Sequence, residues 1–298
     1  MKWLISKKER MPMQRPPFDL IQPDETGTAV IFASPHSGRE YPAAFVESAQ
    51  LDELALRSSE DAFVDRLYGA APEYGAPLLA ARVPRAVVDF NRAPDELDPA
   101  LIEGVRTPRR NPRVASGLGV IPRVVAAGRQ IRCGKMALDE ANQRLQNFYF
   151  PYHAALRDLV SSAQARFGFA VLIDCHSMPR EALTNSAYAF KRRPDVVLGD
   201  RFGTTCAPEI MDAIESIFQE AGLNTARNLP FAGAHVIAAY GLPQKGQHAV
   251  QVEIDRSLYM NERLIEPRAD FPEFQAKMTD IVRRLADLGR QEWKIAAQ

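Results

Sequence analysis

Phe169-Ala170-Val171-Leu172-Ile173-Asp174-Cys175-His176-Ser177 is an unbroken apolar run that ends on an aspartate, a cysteine and a histidine. A short continuous run of this kind fits a strand buried on both faces of a mainly parallel sheet. Ala29-Val30-Ile31-Phe32-Ala33-Ser34-Pro35-His36-Ser37-Gly38 repeats the arrangement, with His36 where the strand ends. In open α/β sheets the residues just past the carboxyl ends of parallel strands face the ligand crevice. Two histidines delivered there can meet, and a pair of imidazoles is the natural start of a metal site. A third apolar strand, Ala249-Val250-Gln251-Val252-Glu253-Ile254-Asp255, carries carboxylates of the kind a hydrolytic site needs as a base.

Working outward, strand-like and helix-like segments alternate. Residues 1–27 are polar and proline-bearing and read as an extended N-terminal segment. Leu51 to Tyr74 places apolar residues at helical spacing. Pro77–Ala81 and Arg85–Asp89 read as short strands broken by Pro84. Residues 94–130 hold many Pro, Gly and Arg residues and little periodicity, and read as an irregular loop over the site. Leu138–Phe167 predicts a long helix interrupted near Pro151, Pro208–Ala221 another, and Phe271–Trp293 an amphipathic terminal helix. The alternation predicts an α/β fold: a three-layer α/β/α arrangement around a mixed, mostly parallel sheet. No linker rich in Gly or Ser divides residues 1–298, which are expected to form a single domain.

Composition excludes several classes of function. Lys+Arg and Asp+Glu are equal at 37 each, so no net charge draws the chain to nucleic acid or an anionic membrane. Arg106, Arg109, Arg110 and Arg113 form a basic cluster without interleaved aromatics, which does not make a nucleic-acid surface. No apolar run approaches the roughly 18 to 20 residues that span a bilayer. The N-terminal apolar stretch is too short for a secretion signal, so the expected location is the cytoplasm, as a monomer or small homo-oligomer. Cys133, Cys175 and Cys206 show no CxxC spacing, and strand alternation turns Cys175 away from the face that His176 uses.

The candidate chemistry falls on few residues. Catalytic zinc commonly takes three protein ligands, so His36 and His176 need a third, for which Glu60 and Asp61 are both candidates. Asn91-Arg92 suits an anionic small substrate, because a guanidinium forks onto a carboxylate and the amide adds a donor. Arg85 could supply positive charge to a developing oxyanion, and Asp89 is placed to orient a neighbour. Gln251, Glu253 and Asp255 share one side of their strand. Such a side is often solvated, but it also suits Glu253 as a base. His153 and His248 read as structural, and His235 as a residue lining a pocket.

Several segments together resemble the N-formylglutamate amidohydrolase family. They are Pro35-His36-Ser37-Gly38, Asp61 to Tyr68, Arg85 to Arg92, Gly117 to Ile121, Pro151-Tyr152-His153, Asp174 to Ser177 and Gln251 to Arg256. They run in order from about residue 30 to residue 260. The resemblance implies an α/β fold like that of the zinc carboxypeptidases and aspartoacylase. It implies His36 and His176 as zinc ligands, Glu253 as base, Asn91 and Arg92 as carboxylate binders and Arg85 as carbonyl polariser. His36 lacks the His-x-x-Glu partner of carboxypeptidase-like sites, and the family's Asp-x-x-Val-Asp segment moves the acidic ligand to Asp61, with Glu60 as the fallback.

The expected activity is a zinc-dependent amidohydrolase, with Co²⁺ as a possible substitute metal, that cleaves N-formyl-L-glutamate or a similar small anionic N-acyl amino acid. A deacylase for another N-acyl amino acid and a non-catalytic binder of a small carboxylate are the competing expectations.

Overall fold

The computed structural model describes residues 15–106, 111–184 and 193–291. Expectations at residues 1–14, Arg109, Arg110 and Trp293 lie outside the described residues. A seven-stranded sheet forms the middle layer. Its strands are β1 Phe18–Ile21, β2 Val30–Ser34, β3 Leu78–Ala81, β4 Ala170–Met178, β5 Val196–Gly199, β6 Thr225–Arg227 and β7 Gln247–Asp255, in the spatial order β1-β3-β2-β4-β7-β5-β6. The pairs β2/β3, β2/β4, β4/β7 and β5/β6 are parallel, while β1/β3 and β5/β7 are antiparallel. The sheet is therefore mixed and mostly parallel, as the alternating elements predict.

β2 and β4 are buried along their whole length. Alternation divides their side chains between two apolar cores. Val30, Phe32, Val171, Ile173 and Cys175 face the layer formed by the Pro208–Glu220 and Phe271–Leu288 helices. Ile31, Ala33, Ala170 and Leu172 face the Phe150–Phe167 helix. Cys175 thus belongs to an apolar core, where burial pushes its thiol well above the ordinary range.

The structure departs from the sequence expectations at several places that matter to the site. Phe18–Ile21 is not merely extended; it pairs antiparallel with β3 as an edge strand. Arg85–Asp89 is not a strand. The amides of Val87 and Val88 turn back onto the Pro84 carbonyl, and the Asp89 amide donates to Val120. Leu51–Tyr74 is not one helix but the short helices Glu53–Arg57 and Val64–Leu67 followed by a 3₁₀ turn at Ala71–Tyr74. The break falls at Asp61, just before Phe63, whose φ of 67° is left-handed and reverses the chain. Near Pro151 the long helix is interrupted as expected. Pro151 lacks a donor, and Leu145–Tyr149 winds as a π-helical turn between Leu138–Arg144 and Phe150–Phe167. A short helix forms at His235–Tyr240, ahead of β7.

Candidate metal centre and hydrolytic site

Three short segments bring His36, Asp61 and His176 together at the carboxyl end of the sheet. β2 ends at Ser34 and the chain turns at once, which puts His36 above the strand end. Gly38 lets this turn lie against the chain after β3, since a Cβ there would stand 2.3 Å from the Val83 carbonyl oxygen. The Asp61 amide donates to the His36 carbonyl at 2.9 Å, so the backbone itself ties two of the three residues together. His176 lies within β4 rather than past its end, because β4 runs on to Met178 against β7.

All three side chains are buried, and ligating atoms from each lie within 4.8 Å of one another. Asp61 Oδ2 is 3.0 Å from His176 Nδ1 and 3.4 Å from His36 Nδ1. The outer nitrogens face carboxylates: His36 Nε2 meets Asp89 Oδ1 at 2.7 Å, and His176 Nε2 meets Asp174 Oδ2 at 3.0 Å. A second carboxylate behind an imidazole fixes its orientation and raises its basicity, as it does for metal-binding histidines. His36 Nδ1 is a buried nitrogen without a hydrogen-bond partner, aimed at the same spot as the other two donors. Two nitrogens and a carboxylate oxygen converging there fit a divalent cation of the zinc type.

Electrostatics keep the Asp61 and Asp89 carboxylates ionised against their burial. Burial alone would raise the Asp61 carboxyl, but the hydrogen bond with His176, the neighbouring His36 and the charge of Arg256 keep it well below the usual range. Burial would lower His176, and Asp174 and Asp61 instead carry it well above 6.5. Asp89 is likewise held low against its burial by Arg85, His36 and Arg92.

Glu253 stands opposite His176 in the β4/β7 register. It is buried rather than solvated, as are Gln251 and Asp255 beside it. Burial pushes Glu253 up to about 7, with His176 pulling it down and Asp61 pushing it further up. Gln251 Nε2 donates to Glu253 Oε1 at 2.9 Å and so holds one face of the carboxylate.

The remaining predicted residues divide. Glu60 is turned away from the histidines and accepts from Tyr41 Oη at 2.7 Å and from Arg57 Nε at 3.2 Å. Adjacent residues on a turn point apart, and Asp61 is the one that reaches the cluster. Arg85 Nη2 donates to Asp89 Oδ2 at 2.8 Å, at the rim of the same site. Arg92 is buried and anchored through Nε to the Leu118 carbonyl and Nη1 to the Asn91 carbonyl, both at 3.0 Å, while Nη2 has no hydrogen bond to a described residue. The side chain of Asn91, expected to grip a carboxylate, is buried and makes hydrogen bonds within the protein. Its Oδ1 accepts from the Val236 amide at 2.7 Å, and its Nδ2 faces His176 Nε2 at 3.1 Å, Asp174 Oδ2 at 3.3 Å and Gln251 Oε1 at 3.3 Å. His235, half-buried at the start of its helix, sets its ring 5.8 Å from that of His153.

Asp174, Gln251 and Arg256 have no separate role in the sequence expectations. The signal was present in strand periodicity, which puts Asp174 on the face of His176 and Gln251 on the face of Glu253. For Arg256 no such signal exists; its partner is 195 residues away in the chain.

The chain is a hydrolase that acts on amide bonds. It belongs to the N-formylglutamate amidohydrolase family, whose sequence model matches residues 28–260. An N-formylglutamate deformylase of Pseudomonas aeruginosa is 30% identical over 270 residues, covering 89% of this chain and 95% of the relative. The N-formylglutamate deformylase of Pseudomonas putida is 30% identical over 237 residues, covering 78% and 82%. The crystal structure of an N-formylglutamate amidohydrolase from Ralstonia eutropha JMP134 superposes with a TM-score of 0.86 at 39% identity, covering 92% of this chain and 98% of that one. Among the described residues no helix is long and apolar enough to cross a membrane.

Proposed function

We propose that the protein hydrolyses N-formyl-L-glutamate to formate and L-glutamate, with His36, Asp61 and His176 holding zinc. The observation that carries this is the convergence of those three buried residues beside Glu253, whose raised pKa suits a base near neutral pH. The substrate is taken from the relatives, which are named for N-formylglutamate and align over most of the chain. When bound, zinc supplies Lewis acidity, polarising a carbonyl and making water easier to deprotonate.

The protein's own groups do the rest. Glu253 takes a proton from the attacking water and returns it to the departing amine, which leaves as the amino group of glutamate. Arg85 places positive charge beside the carbonyl oxygen as it becomes negative. Arg92, with its unspent Nη2, grips a substrate carboxylate. Asn91 serves this pocket by fixing His176, Gln251 and the start of the His235–Tyr240 helix. One sheet, running in space from β1 to β6, carries His176 and Glu253, and the reading of residues 1–298 as a single hydrolytic domain goes with it.

A panel of N-formyl, N-acetyl and N-aroyl derivatives of glutamate, aspartate and glutamine tests the assignment. N-formylglutamate is expected to give the highest kcat/KM. A preference for another acyl group or side chain of tenfold or more would move the function to a different N-acyl amino acid.

A further inference from the structure

Arg256 follows the last strand of the site and is buried, yet it is absent from the catalytic scheme above. Its Nη2 donates to Asp61 Oδ1 at 2.7 Å, and its Nε donates to Ser177 Oγ at 3.1 Å. Asp61 therefore has one oxygen tied to a guanidinium and the other, Oδ2, turned to both histidine Nδ1 atoms. Ser177 is the neighbour of His176, so the guanidinium bridges the aspartate segment and the histidine strand. Its own segment also carries Glu253 at the end of β7.

We propose that Arg256 is a positioning residue that presents Asp61 to the metal as a one-oxygen donor. This rests on His36, Asp61 and His176 holding a metal. A carboxylate free to rotate can offer either oxygen or both to a cation. A charge-assisted bond from a planar guanidinium, itself held by Ser177, removes that freedom. The same positive charge offsets the aspartate, so the donor set carries less net negative charge and leaves a bound cation more electrophilic. Partners of this kind behind metal ligands typically change metal affinity or activity about 10- to 100-fold. A purely structural ion pair would instead show in the melting temperature alone.

Cobalt titration of the metal-stripped protein, followed by visible absorption, separates the two. In Arg256→Met the cobalt dissociation constant is expected to rise about tenfold or more, and the d–d bands to shift as Asp61 Oδ1 becomes available. Arg256→Lys keeps the charge but not the fork and is expected to recover part of the affinity with the spectrum still altered. Ser177→Ala leaves the Asp61 contact in place and loosens the guanidinium. It is expected to weaken cobalt binding by a smaller factor, and it serves if Arg256→Met does not fold. Wild-type affinity and an unchanged spectrum in Arg256→Met, or in Ser177→Ala if that variant must stand in, would overturn the proposal. If wild-type protein takes no cobalt, or Asp61→Ala takes it equally well, the metal assignment falls and this role falls with it.

Discussion

His176 on β4 and Glu253 on β7 are register partners in parallel strands, so a candidate metal ligand and the candidate base share one rung of the sheet. Their relative placement is fixed by backbone hydrogen bonding and not by a mobile loop. Glu253→Gln keeps the shape and the contact with Gln251 within reach while removing the base. Turnover is expected to fall by about 10²-fold or more with metal content and melting temperature close to wild type. Steady-state kinetics with metal analysis checks this; near-normal turnover would remove Glu253 from the chemistry.

Glu60 and Asp61 are adjacent, buried and chemically alike, yet they face different partners. Asp61→Ala is expected to lose most bound metal, and Glu60→Ala to keep it while melting at a lower temperature, since Tyr41 and Arg57 lose their acceptor. Metal content of the two purified variants decides between them. Retention in Asp61→Ala with loss in Glu60→Ala would reverse the assignment.

Arg92 holds two backbone carbonyls, and its Nη2 has no hydrogen bond to a described residue, which would leave it for a substrate carboxylate under the proposed function. Lysine cannot do both. Arg92→Lys is expected to raise KM for N-formylglutamate about tenfold with a smaller change in kcat. Equal loss in both constants would indicate a role in scaffolding and not in substrate binding.

His153 is buried, with Nε2 on the Phe90 carbonyl and Nδ1 on Tyr240 Oη, each at 2.9 Å. Burial pushes its pKa down to about 3, against the pull of the Phe90 carbonyl. The unfolded chain takes up a proton near the ordinary histidine value of about 6.5, while the folded chain resists it to about 3. Stability from this group is full above about 6.5 and is lost as the pH falls toward 3, by at most about 1.4 kcal/mol per pH unit. Urea midpoints between pH 7 and 5 are expected to fall more steeply for wild type than for His153→Gln. Parallel profiles would show that His153 carries no such penalty.

The fold was legible where the sequence is locally decisive. The runs ending at Ser34 and Asp174 could hardly be anything but buried strands, and the two histidines follow from them. Pro151 announced its break in the helix. The partners that complete the site were harder to see, because they depend on contacts between distant segments. Periodicity over Leu51–Tyr74 suggests helical structure throughout, but the chain breaks before a left-handed Phe63, and Glu60 and Asp61 are both buried there. The apolar residues of Arg85–Asp89 looked like a strand, although they pack as a turn after Pro84 beneath the irregular loop. Asn91 has the chemistry of a substrate binder, and its contacts with Val236, His176 and Gln251 could not be read from the sequence.

Formate release from N-formyl-L-glutamate by metal-stripped protein, with zinc added back in steps, tests the central claim most directly. The expected result is negligible formate from the stripped protein and activity that rises with zinc to a plateau near about one metal per chain. Full formate release without metal, or none from fully loaded protein, would contradict the account.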